Sequence, residues 1–180
     1  LKITHYDLCK KTANWAHRKY KSNVTLFEYQ SYATNEFPDV LCFVNGFTLL
    51  FEIKVSLQDF KKDQFKDCRI EKKIRYWPTL SRNVLNLANG LTWKEVGLQE
   101  FYVEAPHMGR NRFYVCPYGL ISPDDIKNGW GLYWYRNNRF NIKKESKSFK
   151  ANIYEEMRIL EHACRKNNSG HNENILIKNY

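Results

Sequence analysis

Residues Phe37 to Lys54 read Phe-Pro-Asp-Val-Leu-Cys-Phe-Val-Asn-Gly-Phe-Thr-Leu-Leu-Phe-Glu-Ile-Lys, two strand-forming runs around an Asn-Gly pair. Asn and Gly both tolerate the positive φ of a two-residue hairpin turn, so the pair predicts a β-hairpin. With Asn45 and Gly46 as the loop, Val44 faces Phe47, and extending that register sets Asp39 opposite Glu52. Strand side chains alternate, so Lys54 falls on the face of Glu52. The register therefore gathers Asp39, Glu52 and Lys54 on one face of an otherwise apolar hairpin.

Acidic residues are depleted in strands, and two carboxylates placed opposite each other repel. In a covered sheet they need a compensating cation, either Lys54 or a bound metal ion. A hard divalent ion held by carboxylates and water suits the arrangement, Mg²⁺ first and Mn²⁺ as a substitute. The competing reading is a structural ion pair between Lys54 and one of the acids.

The spelling Pro38-Asp39, twelve intervening residues, then Glu52-Ile53-Lys54 resembles the PD-(D/E)xK nuclease superfamily. Ser56, Asp59-Phe60, Asp63, Lys66 and Arg69 extend the resemblance towards small stand-alone bacterial and phage proteins of the MmcB-like DNA-repair group. The segments Arg112–Ile121 and Gly129–Leu132 resemble the later part of those proteins, while Leu57 departs from them where a basic residue is expected. The resemblance implies a restriction-endonuclease-like α/β core, with a central mixed sheet flanked by helices. It also implies metal-dependent hydrolysis of phosphodiester bonds, in DNA before RNA. Asp39 and Glu52 would hold the metal, with the Ile53 carbonyl and Glu28 as further ligands and Lys54 as the third catalytic residue. A non-catalytic nucleic-acid binder on the same fold, or a nuclease subunit that needs a homodimer or protein partner, remains open.

Charge points the same way. Twenty-nine Lys and Arg against 19 Asp and Glu leave the chain at +10, which favours a polyanionic partner. Lys61, Lys62, Lys66 and Arg69 after the hairpin, and Arg110 and Arg112 further on, are the candidate phosphate contacts. Five cysteines without a CxxC pair, and five histidines without finger spacing, favour reduced core thiols over disulfides or zinc. No apolar run is long enough to cross a membrane, and nothing at the N-terminus resembles a signal peptide, so a cytoplasmic protein is expected.

The remaining pattern predicts a helix over 4–20, capped by Thr4 and Asp7, and a strand over 24–30 with Glu28 on the face of Val24 and Leu26. A helix from Leu57 has Ser56 as its cap and a solvated polar stripe of Asp59, Asp63 and Lys66. Residues 70–109 read as an insertion in one domain, with a short helix over 81–88 and a strand over 98–104. A strand over 112–116, a short helix begun by Ser122-Pro123 and a hairpin around 136–138 follow. A last helix over 151–166 points Ile153, Met157, Leu160 and Cys164 inward, before a polar tail from Asn167.

Overall fold

The computed structural model describes residues 3–31, 34, 36–63, 72–76, 99–103, 107–126, 129–168 and 173–178. The chain divides into two compact units, Leu1–Asp63 with Pro106–Tyr180, and Gln64–Ala105. In the smaller unit, strands β4 (Lys72–Tyr76) and β5 (Gln99–Val103) pair antiparallel. The helix expected over 81–88 lies outside the described residues, as do Lys66 and Arg69.

The larger unit is α/β. Its mixed sheet has seven strands in the order β8-β7-β6-β3-β2-β1-β9, flanked by three helices. In chain order these strands are β1 (Val24–Phe27), β2 (Val40–Val44), β3 (Phe47–Ile53), β6 (Asn111–Pro117), β7 (Gly131–Arg136), β8 (Arg139–Lys144) and β9 (Ile175–Ile177). The hairpin register is the one expected from Asn-Gly, with Val44 against Phe47 and Val40 against Phe51. Both hairpin strands are interior, and β3 continues into a parallel pairing with β6, itself parallel to β7. Burial on both faces explains why this stretch is apolar almost without alternation.

Helix α1 (His5–Lys19) packs on β1, β2 and β3. Thr4 caps it by accepting from the Asp7 amide at 3.1 Å. Leu8, Cys9, Ala13 and Ala16 join Phe27, Val40, Cys42, Phe51 and Ile53 in the core on that side. On the opposite face lie α2 (Leu57–Asp63), through Phe60, and α3 (Ile153–Asn168), through Ile159 and Ala163, against Leu26, Leu41, Leu50 and Tyr114.

The structure corrects the expected inward face of α3. Ile153 and Met157 are 67% and 66% exposed, and Cys164 is exposed too. Glu156, Ile159 and Ala163 turn inward instead. The Glu156 carboxylate accepts from the Thr48 hydroxyl at 2.7 Å and the Gly109 amide at 2.8 Å, which is what makes a buried acid tolerable there. Burial raises its pKa above the usual carboxylate range, opposed by those two hydrogen bonds. Gly109 itself has φ +83°, and a Cβ would stand 2.5 Å from that of Leu50, so the backbone approaches β3 closely. Part of the polar tail joins the sheet: Ile175–Ile177 adds edge strand β9 beside β1.

Candidate active site

The site lies around the C-terminal end of β3, at the carboxyl ends of parallel strands where ligands of open α/β sheets gather. Side chains from α1, β1, the approach to β2, β3 and α2 meet there in two clusters.

The inner cluster is built on Lys54, only 2% exposed. Its Nζ lies 3.4 Å from Glu52, 3.1 Å from Asp63 and 3.9 Å from Asp59. Strand alternation puts Glu52 and Lys54 on the α2 face, as the sequence implies. Ser56 accepts from the Asp59 amide at 3.2 Å and starts α2, which then carries Asp59 and Asp63 one turn apart towards Lys54. Asp63 is fully buried and also accepts from the Tyr114 hydroxyl of β6 at 2.8 Å. Of the polar stripe of Asp59, Asp63 and Lys66, Asp63 faces the sheet and Asp59 stays partly exposed, while Lys66 lies outside the described residues. An ammonium amid three carboxylates is the compensation that makes such burial possible.

The outer cluster is built on α1. Asp39 stands one residue before β2, so the pleat no longer dictates its side chain. Its Oδ2 accepts from the Ile53 amide at 2.7 Å and lies 3.5 Å from His5 Nε2. Glu28 has φ +46°, which ends β1 and breaks the alternation. Its carboxylate turns to α1 rather than to the Leu26 face, with Oε1 3.1 Å from His5 Nδ1 and 3.0 Å from the Cys9 thiol that donates to it. Cys9 Sγ is 3.5 Å from His5 Nδ1. The helical spacing of His5 and Cys9, one turn apart, stacks both on one side of α1.

These contacts set the electrostatics. The hydrogen bond to Asp39 raises the pKa of His5, partial burial works against it, and the charges of Asp39 and Glu28 add to the rise. Lys54 pulls the same pKa down, so the two clusters sense each other across Ile53. Desolvation first, then the bond to Glu28, pushes the Cys9 thiol far above its ordinary value. Cys42 and Cys116 are pushed up to about 12 by burial and fit the expected inert core thiols.

Of the candidate site residues, Glu52 and Lys54 are in direct contact. Asp39 and Ile53 are joined by a hydrogen bond, and Glu28 reaches Asp39 through His5. The basic candidates divide. Lys61 and Lys62 are exposed on α2, and Arg110 is exposed with its Nε donating to Ser148. Arg112 does not face solvent: it is 2% exposed, donates to the carbonyls of His107, Met108 and Gly109, and stacks on Phe149. Its guanidinium organises the loop before β6 rather than meeting phosphate. Glu36, the other acid before β2, accepts from the Met108 amide at 2.9 Å. Sequence reasoning missed His5, Cys9, Asp63 and Tyr114 as members of the site. The His-x-x-x-Cys spacing on α1 was the available signal for the first two.

Comparison with protein-family profiles finds no match, and comparison with curated proteins finds none either. Among solved structures, a protein of unknown function from Silicibacter pomeroyi is similar, with a TM-score of 0.52 at 14% identity. The match covers 96% of this chain and 98% of that one. At that identity the likeness shows the α/β fold alone. Among the described residues, no helix is long and apolar enough to cross a membrane.

Proposed function

We propose that the protein is a metal-dependent nuclease of the PD-(D/E)xK type, acting on phosphodiester bonds in nucleic acid, DNA before RNA. The observation that carries this reading is the local charge. Glu28, Asp39, Glu52, Asp59 and Asp63 converge on Lys54 and a titratable His5, in a chain whose overall charge is +10. Such an excess of carboxylates in a basic protein suits a divalent cation, and oxygen donors of this kind fit Mg²⁺ or Mn²⁺. Asp39 and Glu52 are the residues to hold it, with Glu28 and the Ile53 carbonyl completing the set.

Bound there, the metal supplies a water of lowered pKa and neutralises charge developing on the phosphate. The chain's own residues do the remaining work. The Ile53 amide fixes the Asp39 carboxylate, and Lys54 fixes Glu52 while limiting carboxylate repulsion. A lysine this enclosed acts as a positioning residue for Glu52, where the resemblance alone implied a third catalytic residue. Exposed Lys61, Lys62 and Arg110 serve as phosphate contacts.

A second reading is favoured by the near-complete burial of Glu52 and Lys54. In that reading the inner cluster is a structural ion network, and the fold binds nucleic acid without cleaving it. A substrate panel separates the two: single- and double-stranded DNA and RNA, incubated with Mg²⁺ or Mn²⁺, beside Glu52→Gln. Metal-dependent cleavage lost in the variant supports the nuclease. Binding of the panel without cleavage supports the second reading.

A further inference from the structure

We infer that His5, Cys9, Glu28 and Asp39 form a transition-metal site, with Zn²⁺ the ion its donors fit best. One ligand atom from each of the four residues can be chosen so that all lie within 4.8 Å of one another. Several contacts inside the group are tighter still: Cys9 to Glu28 at 3.0 Å, His5 Nδ1 to Glu28 at 3.1 Å and to Cys9 at 3.5 Å, and, on the other side of the ring, His5 Nε2 to Asp39 at 3.5 Å. Zinc–ligand bonds of about 2.0–2.3 Å imply tetrahedral edges of roughly 3.3–3.7 Å. Cys9, Glu28 and His5 Nδ1 thus stand at nearly the mutual separations that a tetrahedral ion imposes, and Asp39, on the far nitrogen of the ring, belongs to a set that fits within 4.8 Å.

The donor types decide the metal. An imidazole nitrogen and a thiol sulfur beside two carboxylates suit Zn²⁺, whereas Mg²⁺ demands an octahedral shell of oxygens. Cys9 is also set apart from the other buried cysteines described. Cys42 has the Thr25 hydroxyl as its neighbour and Cys116 packs among apolar side chains, but the fully buried Cys9 thiol faces a carboxylate and an imidazole. His5, Glu28 and Asp39 are partly exposed, which gives an ion a path in. The Ile53 amide on Asp39 Oδ2 fixes one ligand from outside the group, as outer hydrogen bonds do at metal centres. Binding transfers the Cys9 thiol proton to solvent, so the metal–sulfur bond forms with thiolate and affinity rises with pH.

The site shares Glu28 and Asp39 with the proposed nuclease centre but does not depend on it. Zn²⁺ there withdraws both carboxylates from Mg²⁺, so a bound zinc ion blocks cleavage if the nuclease reading holds.

Co²⁺ tests the site spectroscopically, without reference to cleavage. The full chain is used in a Cys68→Ser, Cys164→Ser background, which removes the exposed thiol and the one outside the described residues. One equivalent of Co²⁺ should give a sulfur-to-cobalt charge-transfer band together with tetrahedral visible absorption. Stoichiometric Zn²⁺ should abolish both, and a large excess of Mg²⁺ should not. Cys9→Ser should lose the charge-transfer band. His5→Ala, at the first position of α1 where folding is least at risk, should weaken Zn²⁺ binding by at least ~100-fold, since even outer-shell changes cost 10–100-fold. Absence of the band in the parent protein, its survival in Cys9→Ser, or unchanged Zn²⁺ affinity in His5→Ala would each overturn the assignment. A failed nuclease assay leaves these spectra as they are.

Discussion

The two clusters at the end of β3 are neighbours with opposite characters. The inner one surrounds the Lys54 ammonium with Glu52, Asp59 and Asp63, and Lys54, Glu52 and Asp63 are all but sealed from water. The outer one surrounds a titratable imidazole and a thiol with Glu28 and Asp39, and three of its four members are partly exposed. A sealed ion network holds geometry. An open one with exchangeable protons admits ligands. The contrast suggests a division of labour in which the inner cluster fixes where Glu52 stands at the sheet end and the outer one meets the solution.

The largest expected effect breaks the inner cluster. Lys54→Ala removes the ammonium that stands 3.4 Å from buried Glu52 and 3.1 Å from buried Asp63, a loss of about 3–5 kcal/mol. Denaturant unfolding of the variant measures the loss, and wild-type stability would mean that the inner cluster is not sealed.

Next, Tyr114→Phe removes only the hydroxyl that donates to Asp63. A hydrogen bond to a buried charge is worth about 1.5–3 kcal/mol, so a comparable drop should appear in the same unfolding experiment. A far smaller drop would mean that the burial of Asp63 does not depend on this hydrogen bond.

The outer cluster predicts pH dependence instead. The folded-state pKa of His5 is raised above its ordinary 6.5, so folding binds a proton near neutrality. Its contribution to stability is complete below the unfolded value and is lost as pH rises through the folded one. In chelator-treated protein, the melting-temperature gap between wild type and His5→Ala should therefore narrow from pH 5.5 to pH 8.5. A gap that stays constant would remove His5 from the ion pairs with Asp39 and Glu28.

The smallest effect lies outside both clusters. Charge reversal at Lys61, Lys62 and Arg110 should lower nucleic-acid affinity for all sequences alike and flatten its salt dependence, with little effect on folding. Unchanged salt dependence would place the binding face elsewhere.

What could be read from the sequence tracks how local the determining physics is. Asn45-Gly46 closes its hairpin locally, although only Gly46 (φ +85°) takes the positive φ that both residues tolerate, and the register follows without knowledge of anything else. Thr4, Ser56 and Ser122 mark element starts for the same reason, each capping an amide two or three residues on. Asn137 and Asn138, both at positive φ, make the turn between β7 and β8. The misses depend on distant partners. Glu156 turns inward because Thr48 and Gly109 wait for it, and Asp63 because Lys54 and Tyr114 do. Glu28 joins α1 because a left-handed residue ends β1 where alternation would have carried it to the other face. In the site, Glu52 and Lys54 were legible from the pleat, while His5 and Cys9 were hidden in what read as an ordinary amphipathic helix.

The central claim is that the carboxylates at the end of β3 serve a metal-dependent hydrolytic centre. Its most direct test is the rate of cleavage of end-labelled DNA in Mg²⁺, with zinc removed beforehand, by wild type and by Asp39→Asn. Asparagine keeps the shape of Asp39 and an acceptor for the Ile53 amide, but removes the charge offered to the metal. The account predicts metal-dependent cleavage by wild type and a loss of at least ~100-fold in the variant, with the fold retained. Cleavage that proceeds equally well in Asp39→Asn would contradict it, as would a folded wild-type protein that binds DNA in Mg²⁺ and Mn²⁺ and leaves it intact.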